Sequence, residues 1–149
     1  MIAVRLLDAG DADVLGAVAP DVFDNAVDPR WAAEHLADPR HHLAVALDGG
    51  RVVGMASAFH YVHPDKAPAL FVNEVGVTPG YRRRGLGKRL LAALLERGRA
   101  LGCTEAWLGT EASNAAARAL YRTAGWAEDD EPFVLYTYRL EGGPDDAGS

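Results

Sequence analysis

Apolar and polar positions alternate from Ile2 to Leu7, which predicts a short first strand. Asp8 to Asp13 reads as a turn with capping residues, and Val14, Leu15 and Val18 then supply a helical stripe that Pro20 stops. Asp21 to Pro29 is an acidic loop around Val22, Phe23 and Val27. Asp28-Pro29 opens a short helix through Trp31, Ala32 and Leu36, ended by Asp38-Pro39. Two apolar runs, Leu43 to Leu47 and Val52 to Tyr61, flank Asp48-Gly49-Gly50-Arg51 and predict a hairpin. Gly54 interrupts the second run, as glycine does where another backbone or a ligand passes closely. Beyond the loop at His63–Pro68, Leu70 to Val77 predicts another strand. The strongest helical pattern runs from Gly85 to Leu101, with Leu86, Leu90, Leu91, Leu94, Leu95 and Leu101 on one face and Gly102 as the stop. Thr104 to Thr110 is a strand, so strand, helix and strand form one right-handed crossover. Asn114 caps a helix through Ala117, Leu120 and Tyr121 that ends at Gly125-Trp126, and Phe133 to Leu140 alternates as a last strand. The predicted order is β-α-α-β-β-β-α-β-α-β, an α/β domain over residues 1–140. Residues 141–149 are Gly- and Asp-rich and predict a disordered tail.

Composition narrows this picture without changing it. A chain of 149 residues suffices for one domain with a real core. No apolar run approaches the roughly 20 residues of a membrane span, and the N-terminus lacks the marks of a secretory signal. The single cysteine, Cys103, cannot form an internal disulfide; it reads as a small core filler in a protein of the reducing cytoplasm. The histidines His41, His42, His60 and His63 show no metal-ligand spacing, so no metal site is expected. A net charge of −6 disfavours nonspecific binding to nucleic acid. The basic residues that stand out are confined to Arg82–Arg89, and a basic spot on an acidic protein suits an anionic cofactor.

That spot lies in Val75-Gly76-Val77-Thr78-Pro79-Gly80-Tyr81-Arg82-Arg83-Arg84-Gly85-Leu86-Gly87-Lys88-Arg89-Leu90-Leu91. A strand runs through a Pro-Gly corner into a basic, glycine-rich turn at a helix N-terminus, where unpartnered N–H groups and the helix dipole attract anions. The phosphate loop Gly-x-x-x-x-Gly-Lys-Ser/Thr is excluded, because Arg89 follows Gly87-Lys88. The dinucleotide fingerprint is excluded by Leu90 at its third glycine. What remains, Arg82-x-x-Gly85-x-Gly87, resembles the acyl-CoA-binding signature of the GNAT superfamily of N-acyltransferases. A second motif, Asn114-Ala115-Ala116-Ala117-Arg118-Ala119-Leu120-Tyr121 through Gly125-Trp126, resembles the helix that follows in that superfamily. The resemblance spans residues 2 to 140 and is densest between Asn73 and Trp126.

The resemblance implies a mixed, mostly antiparallel central sheet with flanking helices, and a direct transfer of acetyl from acetyl-CoA to a primary amine. It places acetyl-CoA in a V-shaped gap beside Asn73–Val77. There Val75, Gly76 and Val77 face the pantetheine, and the N–H groups of Arg83, Arg84, Gly85, Leu86, Gly87 and Lys88 hold the pyrophosphate. Arg82 and Arg84 add charge, with the guanidinium that touches phosphate left open. Asn114, with Ala117, caps its helix or reaches CoA. Tyr121 is the implied general acid toward the departing thiolate, and its phenol matches a thiol in basicity. Glu74 is either the base that deprotonates the amine or an exposed strand carboxylate. Within the superfamily, Val22-Phe23-Asp24, Arg51-Val52-Val53-Gly54 and Ala119-Leu120-Tyr121 resemble small aminoglycoside 3-N-acetyltransferases. A polycationic acceptor suits Asp24, Asp28 and Glu111, since each ammonium leaving water needs a carboxylate. Acetylation of a protein N-terminus, a lysine or a polyamine stays open, as does a non-catalytic acyl-CoA sensor. A homodimer using Phe133–Leu140 as an edge is a further expectation.

Overall fold

The structure is a computed structural model and describes residues 1–142. In chain order it runs β1 (Ala3–Leu6), a 3₁₀ segment (Ala9–Gly16), α1 (Pro29–Ala37), β2 (His41–Asp48), β3 (Arg51–Tyr61) and β4 (Ala69–Val77). A short 3₁₀ turn (Pro79–Tyr81), α2 (Leu86–Ala100), β5 (Glu105–Trp107) and α3 (Ala115–Thr123) follow. The sheet order is β1-β2-β3-β4-β5. The first three pairings are antiparallel and β4 pairs with β5 in parallel, which is the mixed, mostly antiparallel sheet expected.

Helix α2 lies across one face of the sheet through Leu86, Leu90, Leu91 and Leu94, all buried. Small residues beneath it let it come close. A Cβ on Gly54 would stand 3.2 Å from Leu90 Cδ1, so the glycine in β3 makes room for the helix rather than for a ligand. Gly98 on the helix does the reverse for Leu70, at 3.2 Å from its Cδ2. Leu101, expected on the buried stripe, is exposed beyond the helix end. The opposite face carries Leu43, Val45 and Met55 by strand alternation, and Leu15, Val22 and Leu36 of the N-terminal segments complete that half of the core.

Three elements differ from expectation, the first being β5, which spans only Glu105–Trp107 of the strand expected over 104–110. The first helix is a 3₁₀ segment, closed by a capping box between Asp8 and Asp11. It stops at Gly16 because the chain then leaves to pair with β3, with Ala19 N–H donating to Val52 O and Val52 N–H to Ala17 O, both at 2.8 Å. The expected last strand, residues 133–140, does not form. Phe133, Val134, Leu135, Tyr136, Tyr138 and Leu140 are all exposed. Alternation supplies only the side-chain half of a strand, and this segment has no ladder partner among the described residues. The expected tail lies, from residue 143 onward, outside the described residues.

A histidine pair sits between β2 and β3. His42 Nε2 and His60 Nδ1 share a hydrogen bond of 2.8 Å, and the rings stack at 5.1 Å between centroids. Burial, then the neighbouring His60, lowers the His42 pKa to about 4. The unfolded chain takes up its proton near 6.5, so stability is full above that pH and is lost as pH falls toward 4. We expect the loss to be on the order of 2 kcal/mol, read as a drop in urea midpoint between pH 7 and 4.5. His42→Gln should flatten that dependence; an equally steep variant would discount the pair.

Candidate active site

Strand β4 loses one of its two partners part-way along. On the β5 side it pairs only from Ala69 to Phe71, leaving Val72 to Val77 open. On the β3 side it pairs throughout, but Glu74 stands opposite Ser57 and Val72 opposite Ala58, so Asn73 is a one-residue bulge. A bulge bends the strand and re-aims the side chains that follow it. The Thr78 N–H donates to Val53 O at 2.9 Å. By antiparallel alternation Gly76 therefore bonds to β3, while the amides of Val75 and Val77 turn toward the open side. The gap beside β4 thus offers strand-like hydrogen-bonding groups with no strand to take them.

The turn after β4 is built to expose its backbone. Arg83 has φ 63° and Gly85 φ 75°, both left-handed, and Gly85 is the N-cap of α2. Left-handed residues beside right-handed ones point successive N–H groups to one concave side. Arg82 donates from Nε to Val77 O at 2.9 Å, stapling the turn to the end of β4. Arg84 lies over the Tyr81 ring, 4.8 Å from its centroid, and the Tyr81 hydroxyl donates to Asp48. That hydrogen bond, with burial, raises the Tyr81 pKa. Arg83 and Lys88 are exposed. Gly87, buried, meets α3: a Cβ there would stand 2.9 Å from Leu120 Cδ2.

Helix α3 packs on the start of α2 through Leu120 and carries Tyr121 as the next residue. Asn114 Oδ1 accepts from Ala117 N–H at 3.1 Å, so Asn114 is the cap and the Ala117 amide is used in the fold. Arg118 grips Glu128 at 2.8 and 2.9 Å and the Ala112 carbonyl at 2.8 Å, while Arg122 reaches Glu128 at 2.9 Å. The Arg118 hydrogen bonds hold the Glu128 carboxyl down at about 2. These contacts tie both flanks of α3. Tyr121 is half-buried with its ring 6.5 Å from that of Trp126, and burial raises its pKa.

On the other side of β4 a cleft of about 320 Å³ is lined by Glu74, Asp24, Asp28, Trp31, His35 and Ser57, among others. Asp28 also caps α1 through the Arg30 N–H, 2.8 Å. Three of the carboxylates named from sequence therefore converge. Glu111 does not join them; it precedes α3, accepts from the Thr110 hydroxyl at 3.4 Å and lies outside the cleft lining. Trp31 and His35 were missed because a tryptophan and a histidine on a short amphipathic helix carry no motif.

Open backbone amides and a carboxylate-lined cleft thus flank one strand, and comparison with known proteins gives the family. Residues 14–126 match the model of the acetyltransferase (GNAT) family. The chain belongs to the GNAT family. It is an N-acetyltransferase with acetyl-CoA as cosubstrate. This GNAT protein is 32% identical over 116 residues to aminoglycoside N(6′)-acetyltransferase type 1 of Salmonella typhimurium, covering 70% of the chain and 79% of that protein. It is 31% identical over 129 residues to the N-alpha-acetyltransferase RimI of Mycobacterium tuberculosis, covering 84% and 78%. Its fold superposes on the aminoglycoside N-acetyltransferase AAC(6′)-Iy in complex with CoA at TM-score 0.74 and 25% identity, covering 93% of this chain and 95% of that one.

Proposed function

We propose that this GNAT enzyme acetylates a small cationic amine of the aminoglycoside type, with Glu74 as base and Tyr121 as acid. The cleft that gathers Glu74, Asp24 and Asp28 beside β4 carries this reading. Acetyl-CoA lies along the open side of β4, its pantetheine on the Val75 and Val77 backbones and its pyrophosphate at the turn Arg83–Lys88. Arg84 and Lys88 supply charge, and Arg82, engaged with Val77, holds the turn in shape. Gly76, Leu86 and Gly87 shape the walls, and Asn114 and Ala117 fix the helix that presents Tyr121. The acceptor ammonium gives a proton to Glu74, directly or through water. The freed amine attacks the thioester carbonyl; a C–N bond forms, the C–S bond breaks, Tyr121 protonates the departing thiolate, and the proton shed by the new amide nitrogen returns through water to the Tyr121 phenolate.

The names of the aminoglycoside relatives favour the 6′ nitrogen over the 3 nitrogen that the sequence phrases suggested. The RimI relative supports a second reading, acetylation of a peptide N-terminus. Thiol release from acetyl-CoA across aminoglycosides, polyamines and peptides separates the two, with NMR locating the acetylated nitrogen. Glu74→Gln should lower kcat about a hundredfold at pH 7 and less at pH 9.5, where the amine arrives already neutral. A loss under about threefold at pH 7 would remove Glu74 as the base. If no amine of the panel elicits thiol release while acetyl-CoA still binds, the acyl-CoA sensor reading gains. The exposed residues 133–140 support a homodimer in which they cover an edge of a second copy, and sedimentation of a chain cut after residue 132 would report it.

A further inference from the structure

An aromatic row crosses the sheet beside the acceptor cleft. By register, His41 of β2 faces Phe59 of β3, Phe59 faces Phe71 of β4, and Phe71 faces Trp107 of β5. The rings touch in that order, at 6.4, 5.1 and 4.3 Å between centroids. The adjacent row on the same face is Leu43, Ser57 and the bulge residues Asn73 and Glu74, all of which line the cleft. Helix α1 covers the β2 end, where His35 stacks on His41 at 4.9 Å. It leaves the other end open: Phe59, Tyr61 and Phe71 are only half-buried and Trp107 is 42% exposed.

That open end is fixed in place and has a charge beside it. Trp107 Nε1 donates to the Tyr61 hydroxyl at 2.6 Å, which holds the indole against the row. Glu105 is exposed two residues earlier on β5, and strand alternation puts it on the face that carries Trp107. Indole faces attract cations, and more strongly where water is partly excluded. An aromatic surface flanked by Glu105 and Glu74 repels anions and has little use for a neutral polar group. A purely apolar occupant would strand both carboxylates.

We propose that Trp107, Phe71 and Glu105 form a second cation subsite, which holds an ammonium group of the acceptor other than the one that reacts. This rests on the acceptor reading above and narrows it to amines with at least two positive centres. Trp107 lies one row (roughly 7 Å) along and one strand (about 5 Å) across from Glu74, and Glu105 one row farther, so the second charge sits on the order of 10 Å from the nitrogen that meets Glu74. An aminated sugar or a short polyamine meets this spacing, and a peptide N-terminus with an uncharged second residue does not.

Two measurements test the subsite independently of catalysis and through it. In calorimetric titrations, bis-quaternary ammonium ions of graded length cannot be acetylated and so report binding alone. Ions with charges roughly 10 Å apart should bind at least fivefold tighter than a singly charged analogue. Trp107→Leu and Glu105→Gln should each erase that preference, and Trp107→Phe should restore part of it. In thiol release, Trp107→Leu should raise KM for diamines at least fivefold, with kcat held and monoamines unaffected. Affinity independent of the second charge, or unchanged in both variants, overturns the subsite. Titrations that behave as stated in an enzyme that acetylates no amine would instead overturn the acceptor reading and leave the subsite standing. Tighter binding on removal of residues 133–140 would show that the chain's own segment occupies the row, and would also overturn the proposal.

Discussion

Gly76→Ala is expected to cost about 3 kcal/mol of stability and to lower Tm by roughly 10 °C. A Cβ at this position would stand 2.1 Å from the Val22 carbonyl oxygen and 3.1 Å from its carbon. Both are backbone atoms, so no side-chain rotation relieves the clash. The loop cannot simply retreat. Thr78 Oγ1 donates to Pro20 O at 2.7 Å, and Val22 is buried. Asp21 between them is already left-handed, at φ 64°. Separating the two backbones by more than an ångström would pull Val22 from the core or push β4 toward the gap beside it. The second outcome would also displace Val75 and Val77, so KM for acetyl-CoA should rise with the fall in stability. Thermal unfolding by circular dichroism and thiol release measure the two effects. A Tm within about 2 °C of wild type would mean that the loop yields freely.

Gly76 also shows where reading the sequence reached its limit. Its neighbours Arg82, Gly85 and Gly87 sit in a local pattern whose chemistry is backbone chemistry, so strand, turn and helix were legible without the fold. Gly76 answers to a residue far earlier in the chain, and nothing local in Val75-Gly76-Val77 marks that crossing. The acceptor cleft divides the same way. Asp24, Asp28 and Glu74 are legible as charges that need a reason to be near an anion-binding turn. Glu111 looks equivalent in sequence, yet the sheet turns it away, because β5 ends at Trp107 and the chain goes on to α3. Trp31 and His35 on α1 carry no motif, and the row from Phe59 to Trp107 is three unconnected aromatics in sequence until registers across β3, β4 and β5 align them. The expected last strand failed for the converse reason: its alternation is real, but a ladder needs a partner that the pattern alone does not provide.

Tyr121→Phe is expected to lower kcat about a hundredfold with little change in KM for acetyl-CoA, the loss typical of removing a positioned proton donor. The substitution removes one oxygen and keeps the ring that packs against Trp126, so α3 and its Asn114 cap should persist. Burial raises the Tyr121 pKa, which keeps the phenol protonated through the neutral range and leaves it an acid rather than a base. The sign has a consequence for pH. The wild-type rate should not fall from Tyr121 ionisation until pH exceeds the ordinary phenol value near 10, whereas a thiolate left to find its proton in water leaves more slowly as protons grow scarce. The variant should therefore lose ground steadily from pH 7 to 9, and the ratio of the two rates should widen over that range. A phenol that serves only as packing would give a ratio near one at every pH. Burst kinetics add a check, since free thiol and acetylated product must appear together if the acid acts in the transfer step itself. A thiol signal that lags the product in wild type would assign proton delivery to a later step and remove Tyr121 from the chemistry.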